Sequence, residues 1–280
     1  MQNSLQFEVT SSYSRVRATP LLLANELNIK LEQWFQNCKY LYLAINKLSE
    51  EEFSEKLQLE YTYPCPLRTQ PIRGFDQIRN ELITEIDLLN YHQLVKIIHE
   101  YIEQSYRIYI SLTEPEDGKS IIDFELRVNS LCKEFHKRNF PDKLLTISSK
   151  LNLTNSLDII NKINKIRNCL EHRYGVVAEE DCDADRKYMS IQWYYPKIES
   201  EKGINSPLSN IEGEQNIKIV FDDEIKSFQQ GSKISFDFDD NTKCIFSINT
   251  CFKTIVDGIY NIVNVNQSAN ETIIREFKIG

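Results

Sequence analysis

Apolar residues recur at helical spacing over most of the chain. In the segment 20–48, Leu23, Leu27 and Leu31 repeat every four positions, which marks one face of an amphipathic helix. We expect this helix to begin at Thr19-Pro20, because Thr caps helices and Pro fits the first helical position. The same periodicity predicts helices over five further segments: 76–112, 120–139, 142–150, 156–173 and 246–263.

Some helix boundaries have their own signals. Ser49 followed by Glu52 forms a capping-box pattern that predicts a short second helix. Asn90 interrupts the apolar repeat and indicates a break within 76–112. The acidic run 179–185 has no calcium-loop spacing, so we expect a solvated loop there.

Strand patterns appear mainly after residue 175. Alternating apolar and polar positions, rich in β-branched and aromatic residues, predict strands over four segments: 188–198, 217–221, 233–238 and 272–279. The fold predicted is therefore mainly α: one domain over 1–280, helical over 19–175 and 244–266. A β-strand-rich insertion at about 186–240 separates the 156–173 helix from the last helix.

The charge balance limits how this chain meets nucleic acid. It carries 33 Lys and Arg against 41 Asp and Glu, a net charge of −8. An acidic protein does not attract nucleic acid through its overall field, so any such site must be locally basic. Residues 133–174 hold nine basic and four acidic side chains and are the best candidate.

Cysteine usage and hydropathy indicate a cytoplasmic protein. The seven cysteines are irregularly spaced and include no Cys-x-x-Cys pair, which favours reduced thiols over disulfides or a zinc site. The first residues lack a basic stretch followed by an apolar run. No segment is apolar for the roughly 18 residues of a membrane span, so we expect no membrane association. No set of metal ligands clusters, and we expect no cofactor.

The helix predicted over 156–173 carries the candidate chemistry. On an ideal helix its apolar side chains form one core-facing stripe: Ile159, Ile163, Ile166 and Leu170. Arg167 falls at the flank of that stripe, and Asn168 and His172 face outward. Arg167 and His172 lie roughly 140° apart around the helix. One helix alone therefore holds them around a shared cleft only loosely, and a second surface is needed to complete a site.

The same residues also fit a purely structural role. Arg167 and Glu171 are four positions apart, so they can form an exposed ion pair that contributes at most about 0.5 kcal/mol. His172 and Arg173 suit the negative end of a helix dipole. Gly175 is then the left-handed residue that ends the helix. Spacing alone favours this interpretation.

A family resemblance favours function instead. The order Arg167-Asn168, then His172-Arg173, then Gly175 resembles the signature of the HEPN superfamily. There, an Arg and a His are four to six residues apart near a helix end, and a polar residue often follows the Arg. The resemblance covers about residues 120–175 and 244–266, as core bundle helices. It implies a HEPN-like helical bundle.

The resemblance implies a metal-independent RNA endonuclease, a hydrolase of the toxin or antiviral-defence kind. Such proteins usually form homodimers in which two motifs line one cleft. The 2′-hydroxyl of RNA attacks the adjacent phosphate. Arg167 would stabilise phosphoryl charge, His172 would act as general acid or base, and Asn168 would assist. We expect Arg173 and Lys165 to contact RNA phosphates. A carboxylate at Glu171 would repel phosphate unless it is paired.

A second hypothesis remains open. HEPN-like proteins without catalysis serve as dimerisation modules or bind protein, RNA or nucleotide. The acidic net charge and Glu171 favour this alternative. Under either hypothesis, an antitoxin or another defence protein is a possible partner.

Other candidates carry weaker signals. His92 and His99 lie seven positions apart on one helix, but nothing completes a metal site, so structural or surface roles are favoured. His136, beside Lys137-Arg138, is expected to be exposed, where it either contributes to phosphate binding or simply ends a helix. The aromatic segment 188–195 contains Tyr188, Trp193, Tyr194 and Tyr195. These rings suit base stacking, but packing of a sheet face against the helices is favoured.

Overall fold

A computed structural model describes residues 20–51, 74–114, 121–153, 157–184, 186–200 and 217–269. In these residues six α-helices are present: α1 Pro20–Lys47, α2 Phe75–Thr113, α3 Ile121–His136, α4 Phe140–Lys150, α5 Asp158–Arg173 and α6 Phe238–Ala269. A short 3₁₀ helix, Glu179–Asp181, follows α5. Strands β1 (Tyr188–Ser200) and β2 (Ile217–Gln229) pair antiparallel, from Tyr188 opposite Gln229 to Ser200 opposite Ile217. The mainly α class is confirmed.

Several element boundaries agree with the sequence pattern. α1 begins at Pro20 and ends at Lys47, as the Thr19-Pro20 signal predicts. β1 matches its predicted strand, whereas β2 continues to Gln229, well past the predicted end at 221. The predicted helix after Ser49 and the predicted strand 272–279 fall largely or wholly outside the described residues.

The break predicted near Asn90 is wrong, because α2 runs unbroken from Phe75 to Thr113. Asn90 is buried, and its backbone carbonyl accepts a hydrogen bond from Trp34 Nε1 at 2.8 Å. The amide therefore lies on the core-facing side of the helix, where packing against α1 outweighs the weak helix propensity of Asn. The contact with Trp34 uses the backbone carbonyl, and the side-chain Nδ2 of Asn90 is buried with no hydrogen-bond partner among the described residues.

The start predicted for the last helix is also wrong. α6 begins at Phe238, where the sequence pattern placed the end of a strand. Asp237 and Asp240 cap this start reciprocally: Asp240 N donates to Asp237 Oδ1 at 2.8 Å, and Asp237 N donates to Asp240 Oδ2 at 2.9 Å. The alternation over 233–238 comes from an extended segment that buries Ile234 and Phe236. Its only bridge pairs Lys233 with Val176.

The chain divides into two compact units. The first comprises the described parts of Met1–Ile29, Ile97–Leu157 and Cys251–Gly280. Its core is aliphatic and aromatic, and its most buried side chains include Ile98, Ile102, Phe135, Ile147, Phe252 and Ile255. The ring of Tyr106 stacks on Phe135 with centroids 3.9 Å apart. Asn139 caps α4 by accepting from Asp142 N at 2.9 Å.

The second unit comprises the described parts of Lys30–Lys96 and Asp158–Thr250. Trp193 of β1 is fully buried there, edge-on to Phe236, as expected for a sheet face packed on helices. Ser247 of α6 accepts a hydrogen bond from Tyr194 N at 2.7 Å and donates to Tyr194 O at 3.1 Å. The hairpin is thus anchored on α6, in the unit that contains α5. The prediction of one domain over 1–280 stays a prediction.

Candidate active site

The core-facing side of α5 is as the periodicity predicts. All four residues of the apolar stripe are buried: Ile159, Ile163, Ile166 and Leu170. Arg167 and Asn168 are half-buried at its flank, and His172 is exposed. The buried stripe is therefore confirmed, and Asn168 is less exposed than its predicted outward position implies.

The turn that ends α5 is strained and well anchored. Tyr174 and Gly175 both have left-handed backbone angles, with φ of 52° and 79°, and Gly175 N donates to Cys169 O at 3.1 Å. A Cβ on Gly175 would lie 3.3 Å from Leu170 Cδ2. Ile234 N then donates to Gly175 O at 2.7 Å. Gly175 is thus the left-handed cap that the sequence predicts, and its backbone ties the helix end to the segment before α6.

Arg167 is engaged by neighbours on its own helix. Its Nη1 forms an ion pair with Glu171 Oε2, and its Nη2 donates to Asn164 Oδ1 at 3.4 Å. Its Nε is buried and has no acceptor among the described residues. One face of the guanidinium is therefore occupied, and one donor stays unused.

Glu171 lies at the centre of the charged groups on α5. The hydrogen bond from Arg167 lowers the pKa of this exposed carboxyl, and His172 and His92 lower it further. The carboxylate is thus ionised at neutral pH. His92 belongs to α2, so two helices bring histidines towards the same carboxylate.

His172 and Asn168 are available to a ligand. Neither side chain has a hydrogen-bond partner among the described residues. His92 had no part in the predicted site, since His92 and Glu171 are far apart in the chain. Its supposed companion His99 belongs to the other unit, where it stacks on Phe140 with ring centroids 4.2 Å apart. Only packing of α2 beside α5 reveals His92 here.

Arg173, a predicted phosphate contact, is held by carboxylates. Its Nε donates to Asp181 Oδ2 at 2.9 Å, and its Nη1 donates to Glu180 Oε1 at 3.1 Å. Asp181 is buried and also accepts from Ala178 N at 2.9 Å. The expectation of a solvated acidic loop over 179–185 is wrong for this part, because the loop folds back to cover Arg173.

The same acidic run neutralises a second basic side chain of α5. Lys162 forms an ion pair with Asp183, which also accepts from Ser190 N at 3.0 Å. Burial alone raises the pKa of Asp183, but the hydrogen bonds from Lys162 and Ser190 lower it below its ordinary value. Lys165, the other predicted phosphate contact, has no ion pair among the described residues. Three of the four basic Lys and Arg side chains of α5 are therefore paired.

Comparisons with known proteins give no match: no family model, no curated protein and no solved structure resembles this chain significantly. The HEPN resemblance consequently rests on the residues of α5 and its terminal turn alone.

Two further findings concern the described residues. No helix in them combines the length and the apolar character that a transmembrane span requires. No group of three or more His, Cys, Asp or Glu side chains in them is arranged to hold a metal ion.

Proposed function

We propose that this chain is a metal-independent RNA endonuclease of the HEPN type, acting as a toxin or defence effector in the cytoplasm. The observation that carries the proposal is the exposed imidazole of His172, which has no hydrogen-bond partner among the described residues, on the same helix as the half-buried Asn168 and Arg167. These are the residue types that RNA cleavage needs.

The chemistry follows from these side chains. The 2′-oxygen attacks phosphorus as His172 accepts its proton. Arg167 stabilises the charge that develops on the phosphoryl oxygens, and Asn168 orients the phosphate. The bond to the 5′-oxygen breaks, and a second histidine protonates that oxygen, leaving a 2′,3′-cyclic phosphate and a 5′-hydroxyl. In a homodimer, His172 of the second protomer supplies this proton.

Glu171 sets a condition on this mechanism. Its carboxylate occupies the guanidinium that must face the phosphate, so RNA has to displace it from Arg167. The Nε of Arg167 is buried, so a phosphate can meet only the Nη atoms, and the ion pair with Glu171 must open first.

The test is cleavage of RNA in EDTA by the purified chain and its His172→Ala and Arg167→Ala variants. We expect cleavage by the wild type and a loss of at least about a hundredfold in each variant. Arg186→Ala, which removes an exposed arginine outside the motif, serves as the matched control and retains activity. Equal cleavage by all four proteins, or cleavage that EDTA abolishes, contradicts the proposal.

A second candidate function is a HEPN-like module that binds protein, RNA or nucleotide without cutting. The observation that favours it is the pairing of Lys162, Arg167 and Arg173 with carboxylates, which leaves little free positive charge on α5. Retained RNA binding without any cleavage, unchanged by His172→Ala, would favour this alternative over the nuclease.

A further inference from the structure

A groove in the first unit lies between α2 and α3 and has a volume of about 380 Å³. We call it the α2/α3 groove. Its lining includes three charged residues of α2 and three residues of α3: Glu100, Glu103, Arg107, Lys133, Phe135 and His136. This volume falls within the range of small-molecule sites.

Hydrogen bonds hold the carboxylate of Glu103 in place in the groove. Its carboxylate accepts a hydrogen bond from Lys143 Nζ at 2.6 Å, and the Lys143 side chain is only 4% exposed. Burial alone raises the pKa of Glu103, but the hydrogen bonds from Lys143 and His136 lower it below its ordinary value. The carboxylate is therefore ionised, held in place, and neutralised from the protein interior by a buried ammonium.

Glu103 also orients the imidazole of His136. Both carboxylate oxygens lie within reach of His136 Nδ1, at 2.9 and 3.0 Å. A carboxylate on one ring nitrogen fixes the orientation of the ring and leaves the other nitrogen for a ligand. The side chain is 71% exposed, so Nε2 is accessible from solvent. The arrangement differs from an ordinary helix-end histidine, whose ring rotates freely.

Two cations flank this imidazole. Arg107 lies one helical turn beyond Glu103, and Lys133 lies one turn before His136. Neither has an ion pair or hydrogen bond among the described residues, whereas Glu100, the other acidic residue of the groove, has a partner of its own. Since Lys143 compensates Glu103, the charge presented to a ligand in the groove is positive. That charge favours an anion.

Phe135 closes the groove on the core side, where it is only 1% exposed and its ring stacks on Tyr106. The buried ring offers no face to a ligand. The groove therefore recognises a ligand through its cations, and the planar guanidinium of Arg107 suits a phosphate group.

We propose that the α2/α3 groove binds the phosphate group of a nucleotide, either free or within an RNA strand. Arg107 and Lys133 contact the phosphoryl oxygens, and the imidazolium form of His136 donates to a third oxygen from Nε2. Glu103 is a positioning residue that acts through His136. This site is separate from the Arg167–His172 motif and does not depend on the nuclease proposal.

The test uses the histidine resonances, since the chain has only four histidines. Inorganic phosphate, adenosine monophosphate and a short single-stranded RNA are titrated into the full chain, and the imidazole NMR signals are assigned with His136→Gln and His172→Gln. We expect all three ligands, or the RNA alone, to shift the His136 signal and to bind with measurable affinity.

The variants separate this site from non-specific attraction. We expect Arg107→Ala with Lys133→Ala to weaken binding at His136 by about tenfold or more. Lys137→Ala, which removes an exposed lysine next to His136 that does not line the groove, should change the affinity by less than about twofold. Arg107 and Lys133 are both exposed, so their substitution should not change the folded fraction, which circular dichroism checks.

The outcomes decide both the site and the source of the phosphate. A shift with the mononucleotide identifies a free-nucleotide site, and a shift with RNA alone identifies a backbone contact. An unshifted His136 signal at millimolar concentrations of every ligand overturns the proposal, as does equal weakening by the groove pair and by Lys137→Ala. If the wild type does not cleave RNA but binding at His136 is observed, the nuclease proposal fails and the groove proposal stands.

Discussion

Glu171 decides what the candidate motif can do. It lies between Arg167 and His172 in sequence, and its ionised carboxylate holds the guanidinium that the proposed chemistry requires. The pair is partly exposed, so its contribution to stability is small, at most about 0.5 kcal/mol. Its effect on an incoming phosphate is larger, because like charges at close range repel. This carboxylate therefore opposes the binding of phosphate to α5.

We predict that Glu171→Gln raises the initial rate of RNA cleavage by about tenfold at low substrate concentration. Gln keeps the size of the side chain but removes its charge, so Arg167 becomes free for the phosphate. The rate is measured with a labelled oligonucleotide in EDTA.

Arg167→Ala provides the control for this substitution. If Glu171 acts only through Arg167, Glu171→Gln adds nothing in the Arg167→Ala background. A slower Glu171→Gln enzyme would instead assign the carboxylate a direct catalytic role.

The end of α5 shows how one element positions the motif. The helix stops in a turn with two left-handed residues, and the backbone of Gly175 to Val177 pairs with the segment 231–234 before α6. His172 and Arg173 occupy the last turn of the helix, so their positions depend on that stop. Asp181 and Asp183 then bring the following loop back onto α5.

We predict that Gly175→Ala lowers the free energy of unfolding by about 1–2 kcal/mol. The added Cβ would be strained at a φ of 79° and would press on Leu170. Urea denaturation followed by circular dichroism measures the change.

Gly231 offers a matched comparison for this variant. Its φ is 82°, but a Cβ there would meet nothing within 4 Å. Gly231→Ala therefore carries the backbone strain without the contact, and should destabilise less than Gly175→Ala. A larger loss at Gly231 would show that the contact with Leu170 is unimportant.

The distribution of charge matters most for the molecule as a whole. A net charge of −8 gives no general attraction for RNA, and most basic side chains of α5 are paired internally. One copy of α5 therefore offers little free positive charge. A second copy of the motif facing the first would double the cations and supply a second histidine, which is why we expect a homodimer.

We predict that the chain sediments as a dimer at micromolar concentration. Adding an excess of His172→Ala to the wild type should then lower RNA cleavage, because mixed dimers contain only one of the two histidines that the mechanism uses. Sedimentation velocity and the cleavage assay measure the two effects. A strictly monomeric chain, or cleavage that mixing leaves unchanged, would contradict a shared cleft.

Local sequence patterns predicted much of the fold but few of the ion pairs between charged side chains. Leu23, Leu27 and Leu31 face the core as their spacing requires, and Gly175 caps α5 as its position suggests. The pattern failed at two places. It predicted a helix break near Asn90, which is instead buried within an unbroken α2. It also predicted a strand over 233–238, which is an extended segment outside the hairpin. Periodicity identifies a face of an element, but it does not say what that face meets.

The orientation of α5 and the pairing of its charged side chains thus have different origins. The sequence of α5 determines which of its residues face the core, because burial of an apolar stripe orients a helix. It thereby also determines which residues lie outside that stripe, among them Arg167 and His172. The partners of the charged groups follow only from the tertiary structure. His92 lies near Glu171, and Lys143 pairs with Glu103, because packing brings together helices that are distant along the chain. Asp181 covers Arg173 because the loop after α5 folds back, and the sequence did not predict that course.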